Sequence, residues 1–160
     1  MGSQQRAFNI GDMAEAARAG WLYQVADTAT GTALVPAVFV LWNPGSKGLP
    51  LYVISARLSS DGGDIITLGS ISADPAIGAG NVSSNLWIGQ GLPEAVNEAA
   101  AIAAPTPDAT LAMPIISAGN EIDLIDPGVI LVPPGRGLVV FGGLVAQPYQ
   151  MTWLWAEPPI

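Results

Sequence analysis

From Trp21 to Glu157 the chain reads as short apolar or alternating runs, each stopped within a few residues by Gly, Pro, Asn or Asp. Alternation with period two places successive side chains on opposite faces of a strand, and clustered turn residues end each strand. "WLYQVAD" puts Trp21, Tyr23 and Val25 on one face. "LYVISARLS" puts Tyr52, Ile54, Ala56 and Leu58 opposite Ser55, Arg57 and Ser59, the mark of a half-buried strand. "VPAVFVLWN" is apolar on both faces, so it is a strand covered from both sides, with Pro36 at its start. After "ATLAMPIIS", "NEIDLI", "VILVP" and "GLVVFGGLVA", the final strand "YQMTWLWAE" aligns Met151, Trp153 and Trp155 on the face that seals the core. Gly142-Gly143 inside "GLVVFGGLVA" marks a bulge or a close backbone approach. Roughly eight strands without strand–helix alternation predict an all-β sandwich or barrel, for which a jelly roll is one architecture.

Two segments depart from this pattern. "GDMAEAARAG" predicts a short helix with Asp12 as N-cap, Glu15 three residues later and Gly20 beyond its end. Residues 1–19 are thus an N-terminal arm, packed on the body or reaching a neighbour, and residues 20–160 the sandwich domain. Residues 74–110 form a loop-rich excursion in which "PEAVNEAAAIAAP" predicts a second short helix, with Pro93 in its first turn and Pro105 past its end.

Composition narrows the function. The 160 residues suit one domain with a core of its own. Thirteen acids against five bases, Arg6, Arg18, Lys47, Arg57 and Arg136, give a net charge of −8. The bases are scattered, so no stripe follows a phosphate backbone, and an anionic membrane repels the chain; no nucleic acid and no membrane partner is expected. Without histidine or cysteine, Ser-His-Asp and Cys-His catalysis and the usual zinc sites are excluded. A carboxylate pair drawn from Glu94, Glu98, Glu121 and Glu157 is the remaining enzymatic chemistry, and no motif supports it. The acidic groups Asp61/Asp64 and Glu121/Asp123/Asp126 read as turns, with Ca²⁺ binding as the competing reading. "GAGNVS" and "GQGLPE" complete neither a dinucleotide nor a phosphate-loop motif. The expectation is a non-enzyme without cofactor or metal.

Only 11% of the residues are charged while half are hydrophobic, and a single sandwich core covers only inward faces. The outward positions of "VFVLW" and "GLVVFGGLV" therefore call for a cover, which self-association would supply. Candidate interface residues are Phe8, Ile10, Trp42, Leu86, Trp87 and Phe141.

"VFVLWNPGSKGLPLYVISARLSS" (38–60) and "VPPGRGLVVFGGLVAQPYQMTWLWAEPP" (132–159) resemble the jelly-roll capsid decoration, or cement, proteins of tailed bacteriophages. The resemblance covers about a third of the chain and rests on a strand ending in Asn-Pro, a glycine turn, and a Pro-Gly turn before a strand pair ending in Trp. It implies a homotrimer on the outer surface of a virion, bound to the major capsid protein and resisting the pressure of packaged DNA. The alternative is a carbohydrate-binding, receptor-contacting sandwich, with Trp87 stacking on sugar beside Asn85 and Gln90.

Overall fold

A computed structural model of the chain describes residues 10–46, 48–78, 80, 84–85, 92–125 and 128–157. Helix α1 (Ile10–Arg18) precedes β1 (Leu22–Thr30), β2 (Ala37–Asn43), β3 (Leu51–Ser60), β4 (Asp64–Ile65), β5 (Thr67–Ile71) and β6 (Ser84–Asn85). There follow β7 (Val96–Ala101), β8 (Ala109–Ala112), β9 (Ile115–Ile116), β10 (Glu121–Asp123), β11 (Ile130–Val132), β12 (Arg136–Phe141) and β13 (Pro148–Ala156).

The strands form two main antiparallel sheets. One has the order β10-β3-β13-β1-β6, with β11 also paired to β3; the other has the order β7-β2-β12-β5-β8. Successive long strands alternate between the sheets, and β12 and β13 return between earlier strands, which is the strand order of a jelly roll. The all-β expectation and its architecture hold. A separate two-stranded sheet, β4-β9, pairs Asp64 with Ile116 and Ile65 with Ile115.

Between the sheets lies one core. Met151, Trp153 and Trp155 of β13 are fully buried in it, with Tyr23, Val25, Phe39, Leu41, Leu58 and Leu138. Trp155 stacks on Tyr23 with ring centroids 5.8 Å apart. The apolar triplet of the last strand therefore faces inward, as its spacing predicts.

The predicted second helix is not a helix. Residues 96–101 are β7, and all six pair with β2, from Ala37 opposite Ala101 to Trp42 opposite Val96. Helix propensity summed over a short alanine run is a weak force. An open strand edge beside it offers a ladder of backbone hydrogen bonds, and the ladder wins. The excursion also contributes β6, which pairs with β1. It thus extends both sheets along the same side, where Asn97 Nδ2 donates to the buried Asp27 carboxylate at 2.9 Å.

The N-terminal helix is present but begins two residues before Asp12, so Asp12 lies in the first turn rather than at the cap. Gly20 ends the helix as expected, with φ 76°, and the Gly20 and Trp21 N–H groups donate back to Ala17 and Ala16 carbonyls. "GLVVFGGLVA" stops being a strand at Phe141. The close approach predicted at Gly142-Gly143 is real: a Cβ on Gly142 would stand 2.5 Å from Asp64 Oδ2.

Both outer sheet faces are covered by the chain itself, which corrects the expectation that a neighbour must cover them. On the β2 sheet, Ile77, Ala104 and Phe141 pack over Val38, Val40, Trp42, Ile71 and Val139. The covering segments are tied down by Ala99 N–H to Gly78 O (3.3 Å), Ile102 N–H to Pro36 O (3.2 Å) and Asp108 N–H to Ser70 O (2.8 Å). Pro107 lies so close to Gly69 that a Cβ there would meet it at 2.6 Å. On the other sheet, α1 lays Met13, Ala16 and Ala17 against Leu22, Tyr52, Ile54, Leu154 and Ala156. Apolar side chains on both faces of β2 thus reflect a three-layer wrapping within one chain. The periodicity alone cannot distinguish that wrapping from a subunit interface.

Candidate interaction surface

Four connections meet at one end of the sandwich: residues 31–36, 61–63, 113–120 and 142–147. Antiparallel pairing brings them there, because Thr30 stands opposite Pro148, Ser60 opposite Tyr149 and Ser59 opposite Glu121. Their backbones are bonded to one another. Gly31 N–H donates to Gln147 O at 3.0 Å and Ile66 N–H to Pro114 O at 2.9 Å. Gly143 N–H donates to Asp64 Oδ2 at 2.8 Å, and the Tyr149 hydroxyl also donates to that oxygen. Gln147 Nε2 donates to the Tyr149 hydroxyl oxygen at 2.9 Å and to Gly62 O at 3.3 Å. Asp64 and Tyr149 are therefore the pin through which the 61–63 turn holds the 142–147 loop.

This rigid end is apolar outside. Leu34 is 86% exposed, Ile115 74%, and Ile65, Met113 and Leu144 each more than half. Five large apolar side chains, from three of these connections and from β4, on one acidic molecule exceed the isolated exposed residues that need no explanation. Of the charged groups described here, Asp61 is exposed and Asp64 is engaged in the pin. Around the corner, Leu111 on β8 and Leu131 on β11 flank an open groove of about 290 Å³, lined also by Ser70, Ile130, Arg136 and Leu138.

The candidate residues named from sequence fare differently. Trp42 is buried against its own chain, over Gly137, where a Cβ would meet its ring at 2.7 Å. Phe141 is half-buried in the same cluster. Neither is an exposed anchor, because the excursion covers them. Phe8, Leu86 and Trp87 lie outside the described residues, and Ile10 is placed only as the first residue of α1. Leu34, Ile65, Met113, Ile115 and Leu144 were not foreseen. The available signal was the stretch Ala109–Asn120, which has no charge and alternates Leu111, Met113 and Ile115.

Most described acids considered for chemistry serve as hydrogen-bond acceptors for the fold. Asp123 accepts from Ser55 Oγ (2.7 Å), Ala56 N–H (3.2 Å) and Ile125 N–H (3.0 Å), fixing the break between β10 and β11. Glu157 accepts from Glu94 and Ala95 N–H at 3.0 Å and from the Trp155 indole at 2.9 Å, stapling the chain's end to the start of β7. Glu121 makes a long, exposed contact with Arg57 at 3.8 Å, of the kind that adds little stability. Asp126 lies outside the described residues, and among those described no three acids gather in a metal-holding arrangement.

Glu98 is the acid whose environment is most unusual. Burial raises its pKa above the ordinary 4.5, the neighbouring Asp74 adds to this, and the Ile77 N–H donating at 3.3 Å opposes it. The folded state thus holds this proton more tightly than the unfolded state. The associated stability is full below pH 4.5 and is lost as pH rises through the higher folded value. Glu98→Gln keeps the shape and never ionises. In thermal melts it is expected to exceed wild type at pH 7 and match it near pH 4, each kcal/mol being worth about 2–4 °C in a chain of this size.

No family model matches the chain, and no curated protein or solved structure matches it. Among the described residues no helix is long and apolar enough to cross a membrane.

Proposed function

We propose that this chain is a virion structural protein, a decoration or cement protein that binds the outer surface of a phage capsid as a homotrimer and stabilises it. The observation that carries the reading is where the apolar surface lies. Both faces of the jelly roll are closed by α1 and the excursion, while large apolar side chains remain outside at the 31–36, 61–63, 113–120 and 142–147 end. A rigid end whose turns are bonded to one another loses little conformational freedom on docking. Several such ends on one oligomer gain avidity without any single strong contact. The choice of a shell as the surface, and of three copies, comes from the resemblance of residues 38–60 and 132–159 to cement proteins. Of the other tryptophans, Trp42, Trp153 and Trp155 are buried and Trp21 is partly exposed, while Trp87, on which the sugar-binding alternative rests, lies outside the described residues.

The test is co-sedimentation with capsids that lack the protein. Wild type is expected to pellet with them and to raise their disruption temperature. Leu34→Asp combined with Leu144→Asp is expected to weaken binding by roughly 30-fold or more, as loss of interface anchors of about 2 kcal/mol does. Both side chains are exposed, so the fold should tolerate the change. Equal pelleting of wild type and variant would remove this end as the docking surface, and no pelleting of wild type would remove the reading.

A further inference from the structure

We propose that residues 74–78 are a pH-sensitive strap, closed over the outer face of the β2 sheet while the Glu98 carboxyl keeps its proton and loosened when it ionises. The inference stands apart from the shell reading, because it concerns how the chain holds its own cover. Glu98 stands opposite Val40 in the β7–β2 ladder, so its side chain shares the outer face with Val40 and borders the apolar layer of Val38, Val40 and Val139. It is only 5% exposed. An acid buried to that degree ordinarily has a base beside it.

Here the neighbour is a second acid. Among the described residues, the charged group acting on Glu98 is Asp74 of the strap. The paired strand β2 carries no charged residue. Asp27 meets Asn97, the next residue along β7, whose side chain points to the opposite face. Asp108 and Arg136, by the other covering segment, face each other at 3.4 Å. Protonated Glu98 donates a hydrogen bond to Asp74, and the Ile77 N–H donates to Glu98 Oε2 at 3.3 Å. The first bond vanishes with the proton, leaving two carboxylates side by side, one of them cut off from water.

The strap is also the weaker of the two covers on this face. Its ties are Ile77 N–H to Glu98, Ala99 N–H to Gly78 O at 3.3 Å and, just beyond it, Gly80 N–H to Asn97 O at 3.1 Å. All are longer than the usual ~2.9–3.0 Å. Ile77 is the strap side chain packed into the apolar layer, and Ala76 holds φ 49°, which a residue with a Cβ adopts at a cost. The other cover is anchored more firmly, by Asp108 N–H to Ser70 O at 2.8 Å and by Pro107 against Gly69. Repulsion at Glu98 therefore opens the strap first, as a local event, and wets Glu98 and Val40. The direction is fixed: burial, then Asp74, raises the Glu98 pKa, so the closed strap keeps its full stability below pH 4.5 and loses it as pH rises through the higher value.

Hydrogen exchange on the full chain, corrected for intrinsic rates, tests this. The Ile77, Gly80 and Ala99 amides of wild type are expected to lose protection several-fold between about pH 4 and about pH 7.5. At the higher pH they should exchange roughly tenfold or more faster than the β12 amides, which open only with the whole domain. Glu98→Gln keeps a donor for Asp74 and never ionises, so its strap protection should be flat with pH. Asp74→Asn should shrink the fall and leave part of it, because Glu98 stays buried. Strap and β12 amides that exchange alike at both pH values would show that the domain opens as a whole. A fall that persists in Glu98→Gln would belong to another group. Either result overturns the proposal, and the first needs no variant.

Discussion

Trp155→Ala is expected to cost about 3–5 kcal/mol of folding stability, the range for emptying a large aromatic from a core. In a chain of this size that is a fall of roughly 10 °C in melting temperature. Three losses coincide at this residue. Its ring is fully buried, so truncation leaves a cavity between the sheets. The stack on Tyr23 disappears. Its indole N–H also no longer donates to Glu157, which loosens the staple that holds the Glu94 and Ala95 backbone at the entry to β7. The neighbour two residues earlier is a built-in comparison. Trp153 is equally buried, but its indole nitrogen has no hydrogen-bond partner among the described residues. Trp153→Phe removes an unpaired donor along with some volume, whereas Trp155→Phe removes a made bond. Urea denaturation should therefore show Trp155→Phe as the more damaging of the two, and the reverse order would disprove the staple.

Asp64→Ala is expected to cost about 2–4 kcal/mol, because it strands a buried donor and a backbone N–H that both point at a carboxylate. The Tyr149 hydroxyl and Gly143 N–H share Asp64 Oδ2, and Ile65 N–H donates to Oδ1 at 2.7 Å. The effect reaches function because this carboxylate pins the loop bearing Leu144 to the turn beside Ile65. Capsid binding should fall by more than the folded fraction does. The measurement is urea denaturation paired with co-sedimentation below the melting temperature; unchanged stability would show that the pin contributes nothing. A pH signature accompanies it. Burial, reinforced by the hydrogen bond to Asp64, pushes the Tyr149 hydroxyl up to about 12. Its pKa is raised on folding, so its stabilisation is complete below pH 10, where an unfolded tyrosine begins to ionise, and is lost as pH climbs towards 12. Tyr149→Phe should flatten this alkaline limb of the stability profile.

Several elements were legible from local pattern because their causes are local. Met151, Trp153 and Trp155 share a face whenever their segment is extended, and the core claims that face. Gly20 ends α1 because a positive φ costs glycine little. Residues 96–101 depart from local pattern for the converse reason: a run of alanines suits a helix, and only the free edge of β2, distant in sequence, makes it a strand. The doubly apolar pattern of β2 shows that both its sides are covered but not by what. Ile77 and Ala104 reach it through a fold-back that no periodicity records.

The docking end shows the same division most clearly. Leu34, Ile65, the Met113–Ile115 pair and Leu144 come from four stretches, and each alone reads as an ordinary strand or loop segment. The amino-acid order by itself settled that the chain is β, which faces of its strands turn inward, and that histidine and cysteine chemistry is excluded. Those follow from side-chain alternation, turn residues and composition. Only the tertiary structure decided what covers the outer faces and which apolar side chains remain outside together. Those depend on pairings between residues far apart in the chain, and burial is a property of neighbours rather than of sequence position.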